Sequence, residues 1–159
     1  MRINGWIYAV LIGFFCSSLA WAGEIQTVEV WRNLFILNHG KGIESNTTFL
    51  ITNQGVVVVD TRVTPAEARK VKEEVLKQTQ LPILYVINTH YHGAHVFGNQ
   101  VFKDSSNIIS HENVRKALEN ESGKKHLDFF KTLKISGIEE TVITLPNMTF
   151  KEKMHIWAG

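Results

Sequence analysis

The chain has 159 residues, the length of one ordinary domain. Hydrophobic residues make up 44% and charged residues 20%, which excludes a disordered chain. The 17 basic residues nearly balance 15 acidic ones, and no basic run or aromatic-basic interleaving marks a nucleic-acid surface.

Residues 1–22 read as a secretory signal peptide. Arg2 supplies the positive end, residues 7–15 (IYAVLIGFF) the apolar core, and Ala20-Trp21-Ala22 a small-residue cleavage site before Gly23. The apolar run falls short of the about 20 residues that a membrane span needs, so the expected product is an exported domain, 23–159, without a stable membrane anchor and located in the periplasm or outside the cell. Cleavage removes Arg2, leaving 16 basic against 15 acidic residues. It also removes Cys16, the only cysteine, so the mature chain is expected to hold neither a disulfide nor a thiolate.

Residues 28–37 (VEVWRNLFIL) read as a first strand or hairpin arm. A hairpin comes next, from TTFLIT (47–52) through Asn53-Gln54-Gly55 to VVVVD (56–60), whose four valines suit a strand buried on both faces. A helix opens at Thr64, with Pro65 at its first position and Glu67 at capping-box spacing, and Ala68, Val71 and Val75 share one face. ILYVI (83–87) is the next strand, giving a β-α-β unit with parallel pairing over 56–87. NIIS (107–110) reads as a strand and 112–120 and 124–133 as short helices, the second turning Leu127, Phe130 and Leu133 inward. VITL (142–145) and MTFKEKMHIW (148–157) read as closing strands. Strands with helices between them indicate an α/β layered fold. Asn46, Asn120 and Asn147 begin formal glycosylation triplets, which recur by chance.

The chemistry concentrates in NTHYHGAHVFGN (88–99), directly after a strand. His90 and His92 stand at i and i+2, so an extended segment points both imidazoles the same way. Zinc takes imidazole nitrogen and usually four ligands. His95, beyond Gly93-Ala94, can complete the same shell or face a second ion. Strand ends in α/β sheets are where such folds place their sites. The candidate metal ligands are therefore His90, His92 and His95, and no catalytic residue is assigned. His39, His111, His126 and His155 are scattered and read as structural or surface histidines.

THYHGAHVFGN resembles the T-H-x-H-x-D-H-x-x-G signature of the metallo-β-lactamase superfamily, and VVVVDT (56–61) resembles the strand-ending aspartate that precedes it. The wording is most similar to the secreted β-lactamase-like hydrolases. The resemblance implies an αββα sandwich, of which this chain is about the first half. It also implies one or two zinc ions, with a zinc-bound hydroxide attacking a β-lactam, ester or thioester carbonyl of a small-molecule substrate. By the same resemblance, His90 and His92 match the pair on the first zinc, His95 a histidine used for the second, and Asp60 a buried aspartate supporting the loop.

Two departures qualify that implication. The signature aspartate, which serves the second zinc and orients the nucleophile, falls at Ala94. The first zinc's third histidine, which the family takes from a later glycine-histidine-threonine segment, has no counterpart here: neither His111 (SHENV) nor His155 (MHIWAG) has that context. The expectation is a C-terminally truncated or impaired hydrolase with little turnover. The competing expectations are a non-catalytic metal-binding or structural protein of the export pathway that retains the fold, and a chain that does not fold stably alone.

Overall fold

The computed structural model describes residues 25–38 and 45–159. The signal-peptide reading of 1–22 and His39 lie outside the described residues. One seven-stranded sheet, in the order of the sequence, organises the rest. Strands β1 (Gln26–Trp31), β2 (Leu34–Asn38), β3 (Thr47–Ile51) and β4 (Val56–Val59) form an antiparallel meander. From β4 the pairing turns parallel through β5 (Ile83–Asn88), β6 (Asn107–His111) and β7 (Met148–Phe150). The segment read as a first strand or hairpin arm over 28–37 is thus two antiparallel strands, a hairpin turning at Arg32-Asn33, where Asn33 takes the left-handed φ of 62° that asparagine tolerates.

Side-chain alternation gives the sheet two unlike faces. On one, Phe35, Phe49, Val58, Val86 and Ile108 lie side by side across β2 to β6, and all are buried. Helix α1 (Pro65–Gln78) covers this face with Ala68, Val71 and Val75. Its start obeys the sequence signals: the Thr64 hydroxyl accepts the Glu67 N–H, and Pro65 sits where its missing N–H costs nothing. On the other face Val57 and Val59 are only half-buried and Leu50 is 39% exposed. The valine strand is therefore fully covered on one side alone.

A second apolar cluster joins α2 (Gly93–Val96), α3 (Glu112–Glu119) and α4 (Glu121–Thr132) through Val63, Val96, Phe97, Val114, Leu118, Leu127, Phe130 and Ile138. Leu127 and Phe130 point inward as their periodicity predicts, but Leu133 is 44% exposed, because α4 ends at Thr132 and the chain turns away.

VITL is not a strand. Its backbone is bound by side chains instead: Gln100 accepts the Val142 N–H, and Asn99 Nδ2 donates to the Thr144 carbonyl at 3.1 Å. Ile143 and Leu145 pack on the second cluster. The closing strand is likewise only Met148–Phe150 rather than 148–157, since β7 ends the order of the sheet and has no further strand beside it among the described residues. No described helix is long and apolar enough to cross a membrane.

A candidate metal centre at the ends of β4 and β5

β4 and β5 run parallel, so their carboxyl ends release two loops side by side. The loop after β4 is bent at two non-glycine residues with positive φ, Asp60 (65°) and Arg62 (72°). Such backbone persists only where neighbours over-determine it, and here they do. The Asp60 N–H donates to the Ile87 carbonyl at 2.9 Å, the Thr61 N–H to the His95 carbonyl at 2.9 Å, and the Gly98 N–H to the Arg62 carbonyl at 3.1 Å.

Asn88 and Asn99, the first and last residues of the histidine loop, close its base. Each amide donates to the other's Oδ1, at 3.0 and 2.9 Å, and Asn88 Nδ2 also reaches the His95 carbonyl at 3.3 Å. Both asparagines are buried, and neither stood out in the sequence as a site residue. Gly98 allows the close crossing: a Cβ there would stand 1.9 Å from the Thr61 carbonyl oxygen. Gly93 matters for space rather than for a left-handed turn, since a Cβ on it would meet the buried Phe97 ring at 2.3 Å.

The structure gathers the three histidines named from the sequence. The His90 ring centre lies 4.7 Å from that of His92 and 4.0 Å from that of His95, tilted by 72° and 51°. Imidazoles sharing one tetrahedral zinc at about 2.0–2.1 Å keep ring centres about 5 Å apart, so the His90–His95 pair is packed more tightly than a loaded shell. Among the described residues no group of three or more His, Cys, Asp or Glu side chains stands in an arrangement that could hold a metal ion as it is.

The chemistry of the donors nevertheless fits zinc. Asp60, buried beside the rings, accepts the Thr89 N–H at 2.9 Å on Oδ1 and the Thr89 hydroxyl at 2.8 Å on Oδ2. Its Oδ2 also lies 2.7 Å from His95 Nδ1, so that nitrogen carries the proton and donates. The Thr89 hydroxyl, having spent its one proton on Asp60, accepts from His90 Nδ1 at 3.0 Å. Both histidines are thereby held as Nδ1–H tautomers whose Nε2 lone pairs are free for a metal, the arrangement typical of ligating histidines backed by a carboxylate. Burial, and then the neighbouring His95 and His92, lower the pKa of His90, which favours the neutral, ligating form.

Ala94, the position at which the family signature predicts a carboxylate, carries no donor atom in its side chain. It is 6% exposed and packs in the second apolar cluster, and its carbonyl accepts the Ser45 hydroxyl. His111 and His155 stay away from the loop's rings. His111 caps α3, where its Nδ1 accepts the Asn113 N–H, and His155 is exposed. His126 is different. Though read as scattered, it comes to the loop from α4, where its Nε2 accepts the Gly93 N–H at 3.0 Å and its ring stacks on His92 at 5.4 Å. The one signal for it in the sequence was its helical spacing, beside Leu127 and one turn before Phe130 on the inward face of α4.

Known structures share this arrangement of sheet and helices. A metallo-β-lactamase from Pontibacter korlensis superposes with a TM-score of 0.65 at 14% identity, covering 86% of this chain and 57% of its own. One from Hirschia baltica gives 0.62 at 12% identity, covering 85% and 57%. One from Pseudomonas aeruginosa in its mono-zinc form gives 0.60 at 12% identity, covering 79% and 50%. At such identities the likeness is one of fold, and the chain spans about half the length of the structures it matches. A family model supplies what identity does not: that of the metallo-β-lactamase superfamily matches residues 40–147, the stretch holding both bent loops and all three histidines. The chain belongs to the metallo-β-lactamase superfamily.

Proposed function

We propose that this chain is an exported hydrolase of low turnover that acts on β-lactam, ester or thioester carbonyls with zinc held by His90, His92 and His95. The observation that carries the reading is the pair of Nδ1–H groups, on His90 and His95, that run to Asp60 directly or through the Thr89 hydroxyl. A surface histidine has no use for a fixed tautomer, whereas a ligand must present one lone pair in one direction. Bound zinc would supply a water whose pKa falls to about 7, and so a nucleophile at neutral pH.

The chain's own residues hold the donors and leave room for a substrate. Asp60 and Thr89 hold two of the three imidazoles, the Asn88–Asn99 pair holds the base of their loop, and Tyr91 exposes a ring at its rim, where a small substrate would approach. Ala94 offers neither a ligand for a second ion nor an acceptor that could orient the attacking water. Slow turnover is therefore expected. Elemental analysis of the full chain, followed by assays on a chromogenic cephalosporin and a thioester, tests this. One zinc per chain with weak hydrolysis is expected, and His90→Ala should abolish zinc uptake. A wild-type chain that takes up no zinc would sink the proposal.

A second reading draws on the same Ala94, packed as an apolar core residue: a non-catalytic metal-binding protein of the export pathway that keeps the fold. Stoichiometric zinc with no hydrolysis of either substrate, in excess metal, decides for it. Export itself rests on the sequence of residues 1–22, and a mature N-terminus at Gly23 in the exported product would support it.

A further inference from the structure

We propose that His126 on α4 is a positioning residue of the metal loop, whose Nε2 accepts the Gly93 N–H and so holds the turn that separates His92 from His95. The metal-affinity part of this inference rests on the proposed zinc site; the hydrogen bond to Gly93 does not.

Gly93 opens α2, a helix of four residues whose N-cap, His92, makes no capping bond with its side chain. The first N–H groups of a helix have no partner within it, and Gly93 is buried. An unpaired buried N–H costs about 1–3 kcal/mol, so the turn between the two histidines needs an acceptor from elsewhere. His126 supplies it from 33 residues away at 3.0 Å.

The acceptor is itself held firmly. The His126 ring centre lies 4.8 Å from that of Phe130 and 5.8 Å from that of Phe97, both buried, and Tyr91 stands at 5.9 Å on the solvent side. Leu127, next in the chain, and Phe130, one turn on, anchor α4 in the apolar cluster beside the ring's attachment. Because Nε2 accepts, the proton resides on Nδ1 and the ring is neutral. Burial, then the nearby His92, lower its pKa in the same sense. The ring does not serve as a fourth ligand in this arrangement, since its accepting nitrogen is already engaged. It acts twice on the ligands instead: the hydrogen bond fixes the backbone between them, and the stacked face, 28° from parallel, sets the plane of His92.

The test compares the full chain with His126→Ala and His126→Gln. The Oε1 of glutamine can stand near the place of Nε2 and accept the same N–H. Two quantities are read: the exchange rate of the Gly93 amide in metal-free protein by NMR, and the zinc dissociation constant by competition with a chromophoric chelator. A thermal melt checks that each variant is folded. The Ala variant should exchange Gly93 about 10-fold faster and bind zinc about 10-fold or more weakly, as losses of outer partners of metal ligands do. The Gln variant should recover both. Unchanged exchange and affinity in the Ala variant would overturn the inference. So would equal losses in both variants, which would assign the effect to ring packing alone. If wild type takes up no zinc, the proposed function falls, and the exchange rates by themselves still judge His126.

Discussion

At the scale of single residues, Asp60 is the side chain on which the site depends. It takes three hydrogen bonds, two from Thr89 and one from His95, on a backbone bent into left-handed φ. Asp60→Asn keeps the shape but puts an N–H₂ in place of one oxygen: at Oδ2 it leaves both the His95 Nδ1–H and the Thr89 hydroxyl without their acceptor, and at Oδ1 it faces the Thr89 N–H. The expected result is a zinc dissociation constant raised about 10- to 100-fold and a loss of about 2 kcal/mol in unfolding free energy, read by chelator competition and urea titration. A pH effect arises from His90 and His126, whose pKa values burial lowers. Both are neutral in the fold and take up protons more readily when unfolded. Their contribution is therefore present above the ordinary histidine pKa of about 6.5 and is lost as pH falls through that value toward the folded ones. The metal-free chain should melt lower at pH 5.5 than at pH 7.5. Replacing His90 and His126 together with Gln should flatten that dependence.

At the scale of elements, local signals succeeded where the chain supplied its own partners. Helix α1 starts where Thr64 and Pro65 place it and buries the face its apolar spacing predicts, because a cap and an N1 proline act within one turn. The hairpin at 47–59 and the parallel strands β5 and β6 were legible for the same reason, as runs of β-branched residues bounded by turns. VITL failed because its pattern suits a strand while its hydrogen bonds go to the side chains of Gln100 and Asn99, which no local pattern encodes. The crossing of the two loops is another non-local demand. Gly98→Ala drives a methyl into the Thr61 carbonyl. The expected cost is about 3 kcal/mol, checked by urea denaturation, with a drop in zinc affinity, because the same crossing carries the Thr61–His95 hydrogen bond.

At the scale of the whole molecule, stability comes from the row of Phe35, Phe49, Val58, Val86 and Ile108 beneath α1. Phe35 and Phe49 stack 4.7 Å apart, 11° from parallel. Phe49→Ala removes a fully buried ring of this row and should cost about 3–5 kcal/mol, a large share of the stability of an ordinary domain, read as a markedly lowered melting temperature. The opposite face, with Leu50 exposed and Val57 and Val59 half-covered, shows why composition alone misjudged the valine run. Four consecutive β-branched residues announce a strand, but which faces are covered depends on what else folds against them.

The sequence by itself determined the α/β class, the parallel β4-α1-β5 unit and the family resemblance, and it put His90, His92 and His95 on one loop at a strand end. The class, the unit and the placing of the histidines come from periodicity, caps or spacing within a few residues, and the resemblance from the match of two short motifs to a known signature. Tertiary structure alone decided which imidazole nitrogens are free, because that choice is made by Asp60, 35 residues before His95. It also brought His126 to Gly93, closed the loop with Asn88 and Asn99, and put the Ala94 methyl in an apolar cluster. Hydrogen bonds between distant segments leave no period in the sequence, and they are what turns three neighbouring histidines into a set of oriented donors.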